Sequence, residues 1–503
     1  MTTATTSRFL PPPLLGILGL GLAVRVLFVL VGIPTFYHTT ELFALNGDSS
    51  SYTQSFENLW RTGWYTFDQL VPDASFGRLP GYPFFYGIHR LVFGATLAPA
   101  ATAWTQLLLD TGSIWLVFNI LVRLTTASSW APYLGALLYA TYPFVVVWVP
   151  VLGTEALSTD ITLLWLYVLL GWRPTAVYAM GLGLLVAVSL FVRAYMGILL
   201  PITLVWVLRQ QWFEGWYPAL RCTVLVGAGF GLLYIGWPVR NYALSGRMQL
   251  LMPVAAGYIN QTPDVDDYYK WVHCWEANEN PWLDSVLIGK GPIHFPARAF
   301  STPAEAAQGR QLVALARQCG SGFYVLRGNA PPDSAYRRYR ADNCNEIISS
   351  GFQQLRTQFA AQRPLAFWFD VPLQNLHKAF FKASLVPGQA LHPRAGPARA
   401  GLVALVFGYR TALLLLGWAG LLLGLRRHPA LWLVLATSGF QYLYICFIYR
   451  GLEMRYLLQA DVLLLLPAAL LLGRLVAAVP PRRLWPWAGN KRRRNCDYPI
   501  SSR

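Results

Sequence analysis

Acids and arginines at the ends of apolar runs are the residues of this 503-residue chain best suited to chemistry. Asp48 stands just past the first apolar run, in Asn46-Gly47-Asp48-Ser49, and opens a polar, aromatic loop that reaches Gly77-Arg78-Leu79-Pro80-Gly81-Tyr82-Pro83. An ionised carboxylate there can serve as a general base for an incoming hydroxyl or amine. A residue that follows a glycine and precedes three serines also suits a helix N-cap, worth about 1 kcal/mol. Arg78 and His89 are candidates to orient Asp48 or to bind an anion; the other reading is that they snorkel to lipid headgroups. Glu155, in Gly153-Thr154-Glu155, is a second acid at a helix start, where the helix dipole also favours negative charge.

Arg193, Arg240 (in Arg240-Asn241-Tyr242) and Arg455 (in Arg450-Gly451-Leu452-Glu453-Met454-Arg455-Tyr456) form the cationic set, with Tyr456 beside it. Guanidinium groups grip phosphate through two parallel hydrogen bonds, so a phosphorylated lipid at this surface would account for them. Anchoring of helix ends at the lipid interface is the competing reading. The six cysteines show no metal-ligand spacing, and no histidine cluster supports a strong metal site.

The elements that position these residues are written in hydropathy. The chain is 55% hydrophobic and 13% charged, with a mean hydropathy of +0.39, which excludes an ordinary soluble domain and gives an all-α polytopic membrane protein. Windows near the roughly 20 residues needed to span recur at 12–33, 102–122, 131–150, 156–172, 222–239, 401–425, 430–448 and 456–478, and 174–208 holds two more as a hairpin that turns at Arg193. The first is longer than a signal-peptide core and reads as an uncleaved anchor. Net charge is +17, yet the basic residues sit in short loops and in the tail at Lys491-Arg492-Arg493-Arg494. The positive-inside rule explains this better than nucleic acid. Arg8, Arg123, Arg173, Arg209, Arg221, the Arg426-Arg427 pair and the tail are all cytoplasmic only if the chain has ten spans, both termini inside, and 82–95 lies at the interface as a short helix.

This topology divides the chain into an N-terminal membrane module (1–239, with the first external loop at 34–100), an external helical cap (240–399, loop-like near 328–345), C-terminal spans (400–478) and a basic cytoplasmic tail (479–503). Within the cap, residues 364–386 are amphipathic and suit a return path along the membrane. Trp271, Trp275 and Trp282 read as the core of the cap rather than a sugar-stacking surface. Cys274, Cys319 and Cys344 allow at most one disulfide, given an oxidising compartment. Arg25 is costly inside the first span unless paired, and Asp110, at similar depth in the second, is its expected partner. Asp160 lies a turn deeper than Glu155 and reads as structural.

The order of these motifs resembles the GT-C glycosyltransferases of the protein O-mannosyltransferase and aminoarabinose transferase type: an arginine in span one, an early acid in the first loop, Pro-Gly-Tyr-Pro before a short helix, Thr-Glu after span three, Arg-Asn-Tyr after span seven, and Arg-Tyr opening the last span. The resemblance covers roughly the first 260 residues and the last hundred. It implies inverting transfer of a sugar from a polyprenyl-phosphate carrier to an acceptor of unknown class, on the external face of the cell (inner) membrane. Carried onto this chain, Asp48 resembles the base. Arg240 and Arg455 would meet the lipid phosphate, joined on the residue reading by Arg193 and Tyr456, and Glu155 would organise the acceptor or the site, with Arg78 and His89 assigned to the same task from the residues. Ser49 stands where many relatives carry a second acid. The resemblance leaves a divalent metal open as a cofactor, since some relatives bind one and others do not. A transporter or lipid flippase is the main alternative; it would place ionisable residues along the bundle at mid-membrane depth. A scaffold whose cap binds a partner is the third reading.

Overall fold

The computed structural model describes residues 11–69, 75–125, 129–246, 248–251, 262–276, 282, 286, 289, 291–326, 344–381 and 397–478. The protein is helical, and among the described residues the one β-bridge is the parallel pair Ala44 and Val151. Six helices are long and apolar enough to cross a membrane: Pro12–Phe36 (α1), Gly81–Leu124 (α3), Trp216–Ser245 (α8), Gly401–Gly424 (within α13, Pro397–Gly424), Leu431–Tyr449 (α14) and Leu458–Ala478 (α15). The first loop carries Ser49–Thr62 (α2). Shorter helices occupy the remaining apolar windows: Ala131–Ala140 (α4), Thr154–Leu170 (α5), Ala176–Val192 (α6) and Leu199–Trp212 (α7).

One residue decides the shape of the first-loop platform. Gly94 adopts φ 77° and ψ 174°, a left-handed φ that an L side chain rarely tolerates, and α3 folds back there. Tyr82 Oη–H donates to Gln106 Oε1 at 2.7 Å and His89 Nε2 meets Thr105 Oγ1 at 2.8 Å. A straight helix rising 1.5 Å per residue would hold these pairs about 36 and 24 Å apart. The arm before Gly94 exposes Phe84, Ile88, Leu91, Val92 and Phe93 while burying Tyr82, Tyr86 and His89, as a helix lying against lipid does.

This arm starts against α6. A Cβ added at Gly81 would lie 2.5 Å from the Phe191 carbonyl carbon and 2.6 Å from the Val192 nitrogen. Both are backbone atoms that cannot step aside. Gly81→Ala is therefore expected to cost about 1–3 kcal/mol through overpacking, read as a lower thermal midpoint of the purified protein; an unchanged midpoint would show that the arm can shift freely.

Inside the bundle, Arg25 of α1 pairs with Asp110 of α3, both side chains being 0% exposed, as their matching depths led us to expect. Tyr139 Oη–H donates to the same carboxylate, and Arg25 also donates to the Gly21 and Ala140 carbonyls. A second sealed pair, not foreseen from sequence, joins Arg410 of α13 to Asp461 of α15 at 2.7 Å, with Tyr442 Oη–H donating to Asp461 at 2.6 Å. Asp160 accepts from Ser113 Oγ at 2.7 Å.

The cap has its own core. Pro263–Val272 (α9), Pro303–Cys319 (α10) and Asn345–Gln362 (α11) pack around Tyr268, Trp271, Trp275, Phe323 and Phe352, and Trp282 rests on the edge. Cys319 is disulfide-bonded to Cys344, and Cys274 is free and buried. The loop expected near 328–345 falls almost wholly outside the described residues. The chain returns to the bundle through a π-helical turn, Ala366–Asp370, and Val371–Phe381 (α12). Asn375 Nδ2 donates to the Cys446 carbonyl at 3.2 Å, and Leu365, Trp368, Phe369 and Leu373 stay exposed on the outer face.

Candidate active site

Asp48 occupies the N-cap position of α2, but its side chain makes no capping hydrogen bond. Asn46 does the local work instead: its Oδ1 accepts from the N–H groups of Asp48 (2.9 Å) and Ser49 (3.0 Å), a turn that asparagine forms readily. The Asp48 carboxylate is thereby released towards two arginines. Arg78 Nη2 donates to Oδ1 at 2.8 Å, and Arg455 Nη1 donates to Oδ2 at 2.6 Å. Burial by itself would raise its pKa; Arg78 and Arg455 overcome that and hold it at about 2.

Three distant parts of the chain meet here. Arg78 also donates to Ser51 Oγ at 2.6 Å and lies 4.5 Å from the Tyr52 ring centre, so the two ends of the first loop are tied together. Glu155, in the first turn of α5 and 3% exposed in its side chain, accepts from Arg193 Nη2 at 3.1 Å, and Arg455 Nη1 stands 3.6 Å from the same oxygen. Arg193 Nη1 donates to the Arg455 carbonyl at 3.1 Å. Arg455 thus sits between Asp48 and Glu155. Glu453 takes the other side of its guanidinium, at 2.6 and 3.3 Å, and accepts from Tyr456 Oη at 3.1 Å. Burial would lower the Arg455 pKa, but Tyr456, Glu453, Glu155 and Asp48 raise it, so it stays charged.

The backbone sets this spacing. Ala44 N–H donates to the Pro150 carbonyl at 2.9 Å, and Leu152 N–H donates to the Ala44 carbonyl at 3.0 Å. The strand-like segment before Asp48 is therefore fixed to the segment before Glu155.

Asp48, Arg78, Glu155, Arg193, Arg455 and Tyr456 thus stand together. Arg240 and His89 bond other groups, Arg240 reaching the cluster through Tyr65, whose Oη–H donates to the Arg78 carbonyl at 2.9 Å. Arg240 donates to the Ser75 carbonyl, the Tyr65 carbonyl and Asn241 Oδ1, all at 2.9 Å, and lies 4.9 Å from the Trp237 ring centre. His89 bonds the Phe85 carbonyl and Thr105. Topology places all of them on one surface, but it carries no information about which groups each side chain bonds. Glu453 joins the cluster without a sequence expectation behind it; its spacing of two from Arg455 within the Arg450–Tyr456 turn is the available signal.

Beside the cluster lies an apolar cavity of about 720 Å³, lined by residues that flank the site residues in sequence, among them Pro80, Gly81, Leu157 and Val192, together with Phe84, Phe191, Trp237 and Arg240. Among the described residues, no group of three or more His, Cys, Asp and Glu could hold a metal ion.

Fold and site together define an all-α, polytopic membrane protein with an acid–arginine cluster next to an apolar cavity. No family model matches the chain, and no curated protein matches it. Among solved structures it is similar to the archaeal oligosaccharyltransferase AglB from Archaeoglobus fulgidus in complex with an inhibitory peptide and a dolichol-phosphate: 13% identity over 91% of this chain and 50% of that one, TM-score 0.49. It is also similar to ArnT from Cupriavidus metallidurans bound to undecaprenyl phosphate, at 13% identity over 92% of this chain and 79% of that one, TM-score 0.35. The chain spans about half the length of AglB.

Proposed function

We propose that this protein is an integral-membrane, inverting glycosyltransferase that moves a sugar from a polyprenyl-phosphate carrier to an acceptor at the external face of the cell membrane. The observation that carries the proposal is the Asp48 carboxylate held between Arg78 and Arg455 beside the apolar cavity. A base, cations for a leaving phosphate and an apolar seat for a lipid chain are the parts such a reaction needs, because a glycosyl phosphate already carries its leaving group.

In this reading Asp48 accepts the proton of the acceptor hydroxyl or amine as its oxygen or nitrogen attacks the anomeric carbon. The bond from that carbon to the phosphate oxygen breaks on the opposite face, and its electron pair departs with the lipid phosphate. Arg455 and Arg193 meet the negative charge that develops there; Glu155 orients both of them. The cavity receives the polyprenyl chain. Arg240, whose donors hold the Ser75 and Tyr65 carbonyls, steadies the first loop over that cavity. The buried Arg25–Asp110 and Arg410–Asp461 pairs are sealed and mutually neutralised, which favours structural bridges over an ion path through the bundle. The Cys319–Cys344 disulfide supports a cap in an oxidising, external compartment.

The test is sugar transfer from a panel of polyprenyl-phosphate sugars by purified protein. Arg455→Ala is expected to lower kcat/KM for the donor about thirtyfold or more, as loss of a charged contact worth about 2 kcal/mol or more implies. Arg240→Ala should stay within about tenfold. Equal losses in the two variants would remove Arg455 from phosphate recognition, and no transfer from any donor would remove the reaction.

A further inference from the structure

Charge balance within the cluster points to a residue with a separate task. Among the described residues, Arg78, Arg193 and Arg455 face Asp48, Glu155 and Glu453, so within this set three cations meet three anions. A lipid phosphate entering this set adds negative charge to a neutral group in partly desolvated surroundings, which is costly unless one acid leaves. The three acids differ sharply in how easily they could leave. The Glu155 side chain is 3% exposed and that of Asp48 is 29% exposed, whereas that of Glu453 is 45% exposed.

Glu453 is also the acid whose contacts most resemble a ligand's. Its two oxygens take Arg455 Nε (2.6 Å) and Nη2 (3.3 Å), and one of them also takes Tyr456 Oη (3.1 Å). Two guanidinium nitrogens and a phenol converging on one anion is the pattern with which a protein grips a phosphate oxygen pair. Glu453 holds this seat from an extended residue, at φ −117° and ψ 141°, just ahead of the Met454–Tyr456 turn. A rotation of its own side chain towards solvent vacates the seat without moving the backbone.

We infer that Glu453 is a displaceable stand-in for the donor phosphate: it neutralises Arg455 and accepts the Tyr456 hydroxyl in the empty enzyme, and swings out when the lipid phosphate takes its place. This rests on the proposed role of Arg455 as a phosphate ligand. The device keeps the arginine cluster neutral between turnovers, and it sets donor affinity through competition. The pair it breaks is half-exposed, so its contribution is modest.

The experiment is equilibrium binding of a short-chain polyprenyl phosphate, without sugar, to the purified full-length protein, followed by tryptophan fluorescence. Glu453→Gln keeps the side-chain shape and removes the charge, and its melting temperature verifies the fold. It is expected to bind about three- to fivefold more tightly than the parent, and Glu453→Asp, which keeps the charge, to bind no more tightly than the parent. Arg455→Ala should bind at least about tenfold more weakly. Weaker binding by Arg455→Ala with no gain in Glu453→Gln overturns the stand-in role and leaves the phosphate reading intact. Unchanged binding by Arg455→Ala overturns that reading itself.

Discussion

Asp48→Asn is expected to reduce sugar transfer by about 10²- to 10⁴-fold, the range that a positioned general base contributes. Donor affinity should hold or improve. The amide cannot accept a proton, yet it fills the same space, and it releases Arg78 and Arg455 from the carboxylate they now share. A structural role would act differently, lowering stability and donor binding together. Transfer at the parental rate by Asp48→Asn would remove Asp48 as the base.

The pH profile separates the empty and loaded enzyme. Asp48 is held at about 2 by its two arginines, so in the empty enzyme it is ionised throughout the physiological range. Its folded-state pKa is depressed. The ion pairs therefore contribute stability fully above the ordinary carboxylate value, and that contribution is lost progressively as pH falls from about 4 through about 2. Because kcat/KM reports the free enzyme, its profile should lack an acidic limb from Asp48 above about pH 4. A lipid phosphate that draws Arg455 away would raise the Asp48 pKa, so any acidic limb belongs in kcat. An acidic limb in kcat/KM that disappears in Asp48→Asn would contradict this account.

The second large effect is on stability. Arg25→Ala leaves the Asp110 carboxylate in a fully buried site, still accepting from Tyr139 but without its cation. Removing one partner of a buried pair costs about 3–5 kcal/mol, whereas replacing both by apolar residues of similar volume is often neutral. Purified Arg25→Ala should unfold at a markedly lower temperature or denaturant concentration, and Arg25→Met combined with Asp110→Leu should recover most of the loss. Equal destabilisation by the single and double variants would mean that packing, and not charge, holds α1 to α3.

What the sequence revealed follows from what each signal encodes. Hydropathy encodes depth along a helix, so the apolar windows and the Arg25–Asp110 pair were legible, both residues lying at one depth. Depth alone does not say which helices are neighbours. For that reason Arg410 and Asp461 went unpaired in the sequence reading, and depth did not reveal that Arg240 donates to the Ser75 and Tyr65 carbonyls of the first loop. Asp48, Glu155 and Arg455 were legible because each stands at the polar end of an apolar run, where little besides capping or chemistry competes for a charged residue. Asp48's freedom from capping was not legible, because it depends on Asn46 taking over the local turn. His89 faces Thr105 only because α3 doubles back at Gly94, a reversal that helical periodicity does not record.

The bridge between Ala44 and Val151 bears on how such a site can drift. Its two hydrogen bonds run between backbone groups, and every amino acid except proline carries the same N–H and carbonyl. The mount that holds two acids at a fixed spacing is therefore nearly blind to the side chains around it. Neighbouring positions can be rewritten again and again while the spacing survives. A lineage built this way would keep its few charged residues in register long after the surrounding text had become unreadable by alignment.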